Sequence, residues 1–201
     1  YQYDHYYKEK WPAHMDVRPI GSFGITRQEF WKLAEPREKN IALFISRIYQ
    51  EDQTLETIGV LAKAFPDKKL FVNTKAKHLS KTDPFGRKLM AFLDQAPDNV
   101  ELHTGSAYDL FFRCQYVLSD GSTLTAEAIQ FGLDSYVFDF QPERWKVMNF
   151  REMPGVCINS ATEAIDRIKM AEQGTWSLPR ETFPPIIDLM GIIAWDRILW
   201  D

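Results

Sequence analysis

The 201-residue sequence contains only two cysteines, Cys114 and Cys157, and four histidines. Two thiols make neither a disulfide framework nor a zinc site by themselves. His5, His14 and His78 show no metal-ligand spacing with one another or with the cysteines. Positive charge is not in excess either: 24 Lys and Arg against 28 Asp and Glu leave a formal net charge of −4. With a sequence pI near 5.6, broad electrostatic attraction to nucleic acid or to an anionic membrane is excluded. No apolar run approaches the roughly 20 residues of a membrane helix. No basic start followed by an apolar core marks a signal peptide. Walker and Gly-x-Gly-x-x-Gly phosphate loops are absent, as is a Gly-x-Ser-x-Gly elbow with a Ser/His/Asp set. What remains is an ordinary globular composition, 45% hydrophobic and 26% charged, enough for one large domain or two small ones.

From Ile41 onward, short apolar runs alternate with amphipathic stretches. Ile41–Ser46, Lys69–Asn73, Val100–His103, Gln115–Ser119, Ser135–Phe140 and Gly155–Ile158 read as six strands. Between them, Leu55, Ile58, Leu61 and Phe65 share one helical face, closed by Pro66. Pro84 opens a helix that buries Leu89, Phe92 and Leu93. Ala107–Arg113 reads as a short helix. Ser122 serves as N-cap of a helix running to Phe131, with Gly132 as its left-handed C-cap. Ala161–Ala171 is the last helix of the series. Strands alternating with helices of this length predict an α/β fold: a Rossmann-like parallel six-stranded sheet flanked by helices. The ends leave this beat. Residues 1–39 are a tyrosine-rich N-terminal segment with a helix at Thr26–Leu33, expected to be a linker or the remnant of a preceding domain, and residues 176–201 end in an apolar helix over Phe183–Trp200. The domain itself spans 40–175, and both ends pack on it or on a partner domain.

In an open parallel sheet, ligands meet the loops beyond the carboxyl ends of the strands. Arg47, Lys75, His103, Ser119–Thr123, Asp139 and Arg144 all follow strands here. The segment Ser119-Asp120-Gly121-Ser122-Thr123 is the most informative, because a strand feeds a small, hydroxyl-rich turn that opens a helix. Free N–H groups at a helix N-terminus, flanked by hydroxyls, form a seat for a phosphate, and Gly121 permits close approach or an unusual backbone angle. One turn further on, Glu127 lies about 60° off the stripe of Leu124, Ala128 and Phe131. There its carboxylate is placed to accept hydrogen bonds from ribose hydroxyls. The same residues also read as an ordinary N-cap and a solvated helix glutamate. His103 ends a strand on the same edge and is a phosphate or proton-transfer candidate that lacks an evident acid partner. Lys75 begins a basic stretch whose simplest reading is a solvated loop.

Over roughly residues 40–170 this order resembles the C-terminal, nucleotide-sugar-binding half of a GT-B glycosyltransferase. The resemblance rests on Ser46-Arg47-Ile48 after the first strand and on Glu127-Ala128-Ile129-Gln130-Phe131-Gly132 after the late turn. It implies that Glu127 holds the ribose and that Gly121, Ser122 and Thr123 contact the diphosphate. The turn is also similar to that of the UDP-N-acetylglucosamine 2-epimerases, with Asp120 and Glu127 in register. Departures are informative. Glu51 and Asp52 stand where retaining transferases carry a Lys, Ser119 stands where they carry a Glu, and Ser122 and Thr123 replace the paired glycines of the epimerases.

The resemblance implies a donor-binding domain of a glycosyltransferase of surface polysaccharide or glycoconjugate assembly. It implies no metal and no cofactor beyond the nucleotide-sugar donor. The acceptor, a glycan or lipid-linked molecule, would be bound by a missing N-terminal domain. The chain is expected to be part of a longer cytoplasmic enzyme and to be inactive alone, with any contact at a membrane surface made by the rest of the protein. The rival expectations are a UDP-sugar 2-epimerase, a hydrolase or a polyol-phosphate transferase of the same fold, and, from another class, a non-catalytic interaction module.

Overall fold

The computed structural model describes residues 37–45, 50–80, 82–140 and 150–182. Six strands form one sheet: β1 (Asn40–Ile45), β2 (Leu70–Thr74), β3 (Val100–Leu102), β4 (Cys114–Ser119), β5 (Asp134–Phe138) and β6 (Cys157–Ile158). Their spatial order is β3-β2-β1-β4-β5-β6, and every neighbouring pair of strands is parallel. The helices between them are α1 (Glu51–Ala64), α2 (Pro84–Leu93), α3 (Asp109–Arg113) and α4 (Thr123–Gln130), with α5 (Ala161–Glu172) after β6. This is the expected α/β, Rossmann-like parallel sheet. Each strand falls within about two residues of its reading from the sequence, the usual uncertainty of element ends. The two terminal helices expected from the sequence lie outside the described residues.

β1 is central and wholly buried, so its residues alternate between two cores. Ile41, Leu43 and Ile45 meet Leu55, Ile58 and Leu61 of α1, Phe85 and Leu89 of α2, and Ala164 and Ile168 of α5. Ala42 and Phe44 face the other way, onto Leu110 and Phe111 of α3 and Ala128 and Phe131 of α4. A chain that winds outward from β1 to β3, and then from β4 to β6, places its right-handed crossovers on opposite faces. The reversal lies between β1 and β4. The carboxyl ends of the strands at such a reversal are the usual ligand position in this architecture.

The opposite, amino edge is tied shut. The guanidinium of Arg180 donates to Asp134 Oδ1 and to the Leu133 carbonyl, both at 2.9 Å, and Arg37 donates to the Phe131 carbonyl at 2.8 Å. Leu178 is buried in the larger core, and the Trp176 ring lies under Arg167 at 4.0 Å. The described part of the C-terminal segment therefore packs on the sheet domain.

After β2, the basic stretch is more structured than a solvated loop. Ala76–Leu79 form a 3-10 turn in which His78 is buried, and its Nδ1 lies 3.3 Å from Asp83 Oδ2. Asp83 caps α2 by accepting from the Gly86 amide at 2.9 Å. That amide, and secondarily His78, hold the Asp83 carboxyl below its ordinary range against the opposing effect of burial. A carboxyl lowered in this way stabilises the fold above its unfolded pKa, near 3.9, and loses that contribution as pH falls through its folded value. In urea unfolding, Asp83→Asn is therefore expected to be less stable than the parent at pH 7, and the two curves should converge below about pH 4. An offset independent of pH would contradict this linkage.

Candidate functional site at the β4–α4 turn

β4 ends at Ser119, whose side chain is fully buried. Its hydroxyl accepts from the amides of Gly121 at 3.2 Å and Ser122 at 3.4 Å and bonds to the Thr125 hydroxyl in the first turns of α4. One hydroxyl thus folds the chain back over the strand end, an ST-type turn. Gly121 sits at φ 89°, in the left-handed region, and Ser122 follows as N-cap, its hydroxyl accepting from the Leu124 amide at 3.3 Å. Thr123 is the first helical residue. The sequence expectation of freely available turn amides is modified here. Those of Gly121 and Ser122 point inward to Ser119, at distances long for an N–H···O bond.

α4 is buried on more than one side: Thr125, Ala126, Glu127, Ala128 and Ile129 are all enclosed. Glu127 is 2% exposed and Asp120 3%, which removes the reading of Glu127 as a solvated helix residue. A carboxylate is taken out of water only when donors meet it. The Tyr108 hydroxyl is one of them, donating to Glu127 Oε2 at 2.7 Å. Tyr108 belongs to the β3–α3 connection, and its ring packs edge-on against Phe111. The segment from β3 and the helix after β4 therefore meet at this carboxylate. The sequence carries no mark of this contact, because 19 residues and two elements separate the partners.

His103 begins the same connection. Its Nε2 lies 3.0 Å from the Ser106 carbonyl, so that nitrogen must be the donor. The acid partner that the sequence did not reveal is Asp109, with Oδ2 at 3.9 Å. Asn73, at the end of β2, donates to the carbonyls of His103 at 3.0 Å and Gly105 at 3.3 Å. A Cβ on Gly105 would come within 2.9 Å of the His103 ring, so the connection is closely fitted.

The remaining candidates are placed elsewhere. Asp139, after β5, is held bidentately by Arg151 at 2.6 and 2.7 Å, a contact that fastens the β5–β6 crossover. Lys75 is exposed at the start of the 3-10 turn. Arg47 and Arg144 lie outside the described residues. Burial pushes the Cys114 thiol up to about 12 and the Cys157 thiol to about 11, so neither is a thiolate nucleophile at neutral pH. Among the described residues, no three His, Cys, Asp or Glu side chains come together as metal ligands would. No described helix is long and apolar enough to cross a membrane.

Three solved structures are similar to the chain in fold. A putative UDP-N-acetylglucosamine 2-epimerase from Listeria monocytogenes matches with a TM-score of 0.55 and 14% identity, over 89% of this chain and 47% of its own. The S. aureus MnaA–UDP structure matches at 0.52 and 13%, over 85% and 47%. The UDP-GlcNAc 2-epimerase of Neisseria meningitidis, bound to UDP-GlcNAc, matches at 0.50 and 17%, over 79% and 43%. The fold is one half of the GT-B architecture. The chain spans less than half the length of these proteins. No protein-family model matches the sequence, and neither does any curated protein.

The turn makes a direct prediction. A Cβ on Gly121 meets nothing within 4 Å, so Gly121→Ala carries only the backbone cost of the left-handed region, about 1–2 kcal/mol. Urea unfolding of that variant should show a loss of this size, and stability equal to the parent would contradict the conformation assigned to the turn.

Proposed function

We propose that the chain is the donor-binding half of an enzyme acting on a nucleotide sugar, with UDP as the carrier. The observation that carries the reading is Glu127: a carboxylate buried beside the β4–α4 turn, at the point where strand order reverses. In this proposal the first turn of α4 offers its positive dipole end to the diphosphate, and Glu127 accepts hydrogen bonds from the ribose hydroxyls. Opening of the amides of Gly121 and Ser122 from Ser119 onto the phosphate oxygens would exchange two long hydrogen bonds for charge-assisted ones. His103, Arg47 and Arg144 are further donor contacts in this proposal. Phosphate charge developing on the leaving group is then met by fixed dipoles in a dehydrated site, and no metal or other cofactor is invoked.

UDP is preferred over other carriers because, of the three similar structures described above, the two described with a ligand hold UDP-GlcNAc or UDP. The same observation favours one second reading, a UDP-sugar 2-epimerase, in which the full protein turns over its donor without an acceptor. In the transferase reading the acceptor is a glycan or lipid-linked molecule bound by another domain, the pathway is surface polysaccharide or glycoconjugate assembly, and the chain alone binds without turnover.

Isothermal titration of the chain with UDP, CMP, CDP, GDP and ADP, with and without magnesium, tests the assignment. UDP should bind in the micromolar range independently of the metal, and Glu127→Gln should weaken it at least about tenfold, the worth of a hydrogen bond to a charged group. Binding of none of the five, or equal binding by the variant, would contradict it.

A further inference from the structure

Resting on the nucleotide reading above, we propose that Tyr108 is a positioning residue that fixes the Glu127 carboxylate and so makes the site selective for ribonucleotides over 2′-deoxyribonucleotides. A glutamate has three rotatable side-chain bonds, and a carboxylate aimed at a vicinal diol must be held in one orientation to discriminate by it. Burial alone does not supply this, since an enclosed carboxylate turns toward whichever donor is nearest. The phenol of Tyr108 donates to Oε2 at 2.7 Å, a short, charge-assisted bond that selects one rotamer.

Tyr108 is itself held. Its ring meets Phe111 edge-on with centroids 5.5 Å apart, and Phe111 is buried against Phe44 of β1 and Phe131 at the end of α4. On the chain before it, the Ser106 carbonyl is engaged by His103, and the His103 and Gly105 carbonyls by Asn73. The hydroxyl therefore reaches Glu127 from a rigid support, anchored in the ends of β2 and β3 and in the core beneath. A donor fixed on one oxygen orients the whole planar carboxylate group. The two hydroxyls of a ribose then meet an acceptor already in place, whereas a 2′-deoxyribose satisfies it with one. A site that holds a polar group ready for a substrate hydroxyl penalises the analogue that lacks it.

The test compares UDP with 2′-deoxy-UDP by isothermal titration against the parent chain, Tyr108→Phe, Glu127→Gln and the double variant. Tyr108→Phe keeps the ring and its contact with Phe111 and removes only the hydroxyl. The parent should prefer UDP by about tenfold. Tyr108→Phe should reduce that preference to about threefold or less while leaving 2′-deoxy-UDP affinity within about twofold of the parent. On the Glu127→Gln background the same substitution should change the ratio no further, because its effect passes through the carboxylate. A merely structural role would weaken both nucleotides in parallel. That pattern, an unchanged or larger ratio in Tyr108→Phe, or full additivity in the double variant would overturn the assignment. Failure of UDP to bind the parent at all would instead overturn the nucleotide reading, and this inference with it.

Discussion

Ser119 ends β4 with its hydroxyl fully enclosed, and what lies above the sheet depends on how that hydroxyl is used. By accepting from the Gly121 and Ser122 amides and bonding to Thr125, it bends the chain from strand to helix within three residues. The bend demands the left-handed conformation at Gly121 and sets Ser122 as the cap. It also starts α4 close against the β1–β4 reversal, and Thr125, Ala126, Glu127, Ala128 and Ile129 are buried there. Glu127 is carried into the interior because α4 starts where it does. Its own chemistry opposes that position. A buried carboxylate costs several kcal/mol unless donors surround it, so its presence is a feature the rest of the fold must offset.

That tension is spread unevenly over the molecule. At the amino edge, charges are neutralised by partners of the opposite sign, with Arg180 on Asp134. On the outer helices, Lys88 bridges Glu51 and Asp52. At the carboxyl edge above β4, two acidic side chains, Asp120 and Glu127, are enclosed together with hydroxyls and backbone dipoles. Their enclosure beside the topological reversal is what marks this edge as the candidate site.

Most of the sheet was legible because buried parallel strands are short apolar runs that need only pattern, not partners, to be recognised. The Ser122 cap and the Gly132 C-cap, at φ 79°, were legible for a similar reason: caps are local. What the sequence hid was non-local. Tyr108 reads as one more aromatic in a short helix, and only the crossover from β3 back to β4 brings it to Glu127. Asp109 is six residues from His103, and nothing in that spacing announces a pair. The role of Ser119 was concealed by its company, since a serine in a hydroxyl-rich turn looks like a ligand contact and here ties the turn together. His78 was hidden by the lysines around it, which read as a solvated loop although the ring is buried against Asp83.

The proposed function requires nucleotide to bind at the β4–α4 turn together with the β3–α3 connection. Hydrogen–deuterium exchange of the chain with and without saturating UDP measures this most directly, because it reports backbone amides along the whole chain at once. Slower exchange is expected on adding UDP within residues 103–109 and 119–125, with the amino edge around Asp134 and Arg180 unchanged. Bound UDP that left both segments unaltered, or that protected the amino edge instead, would contradict it.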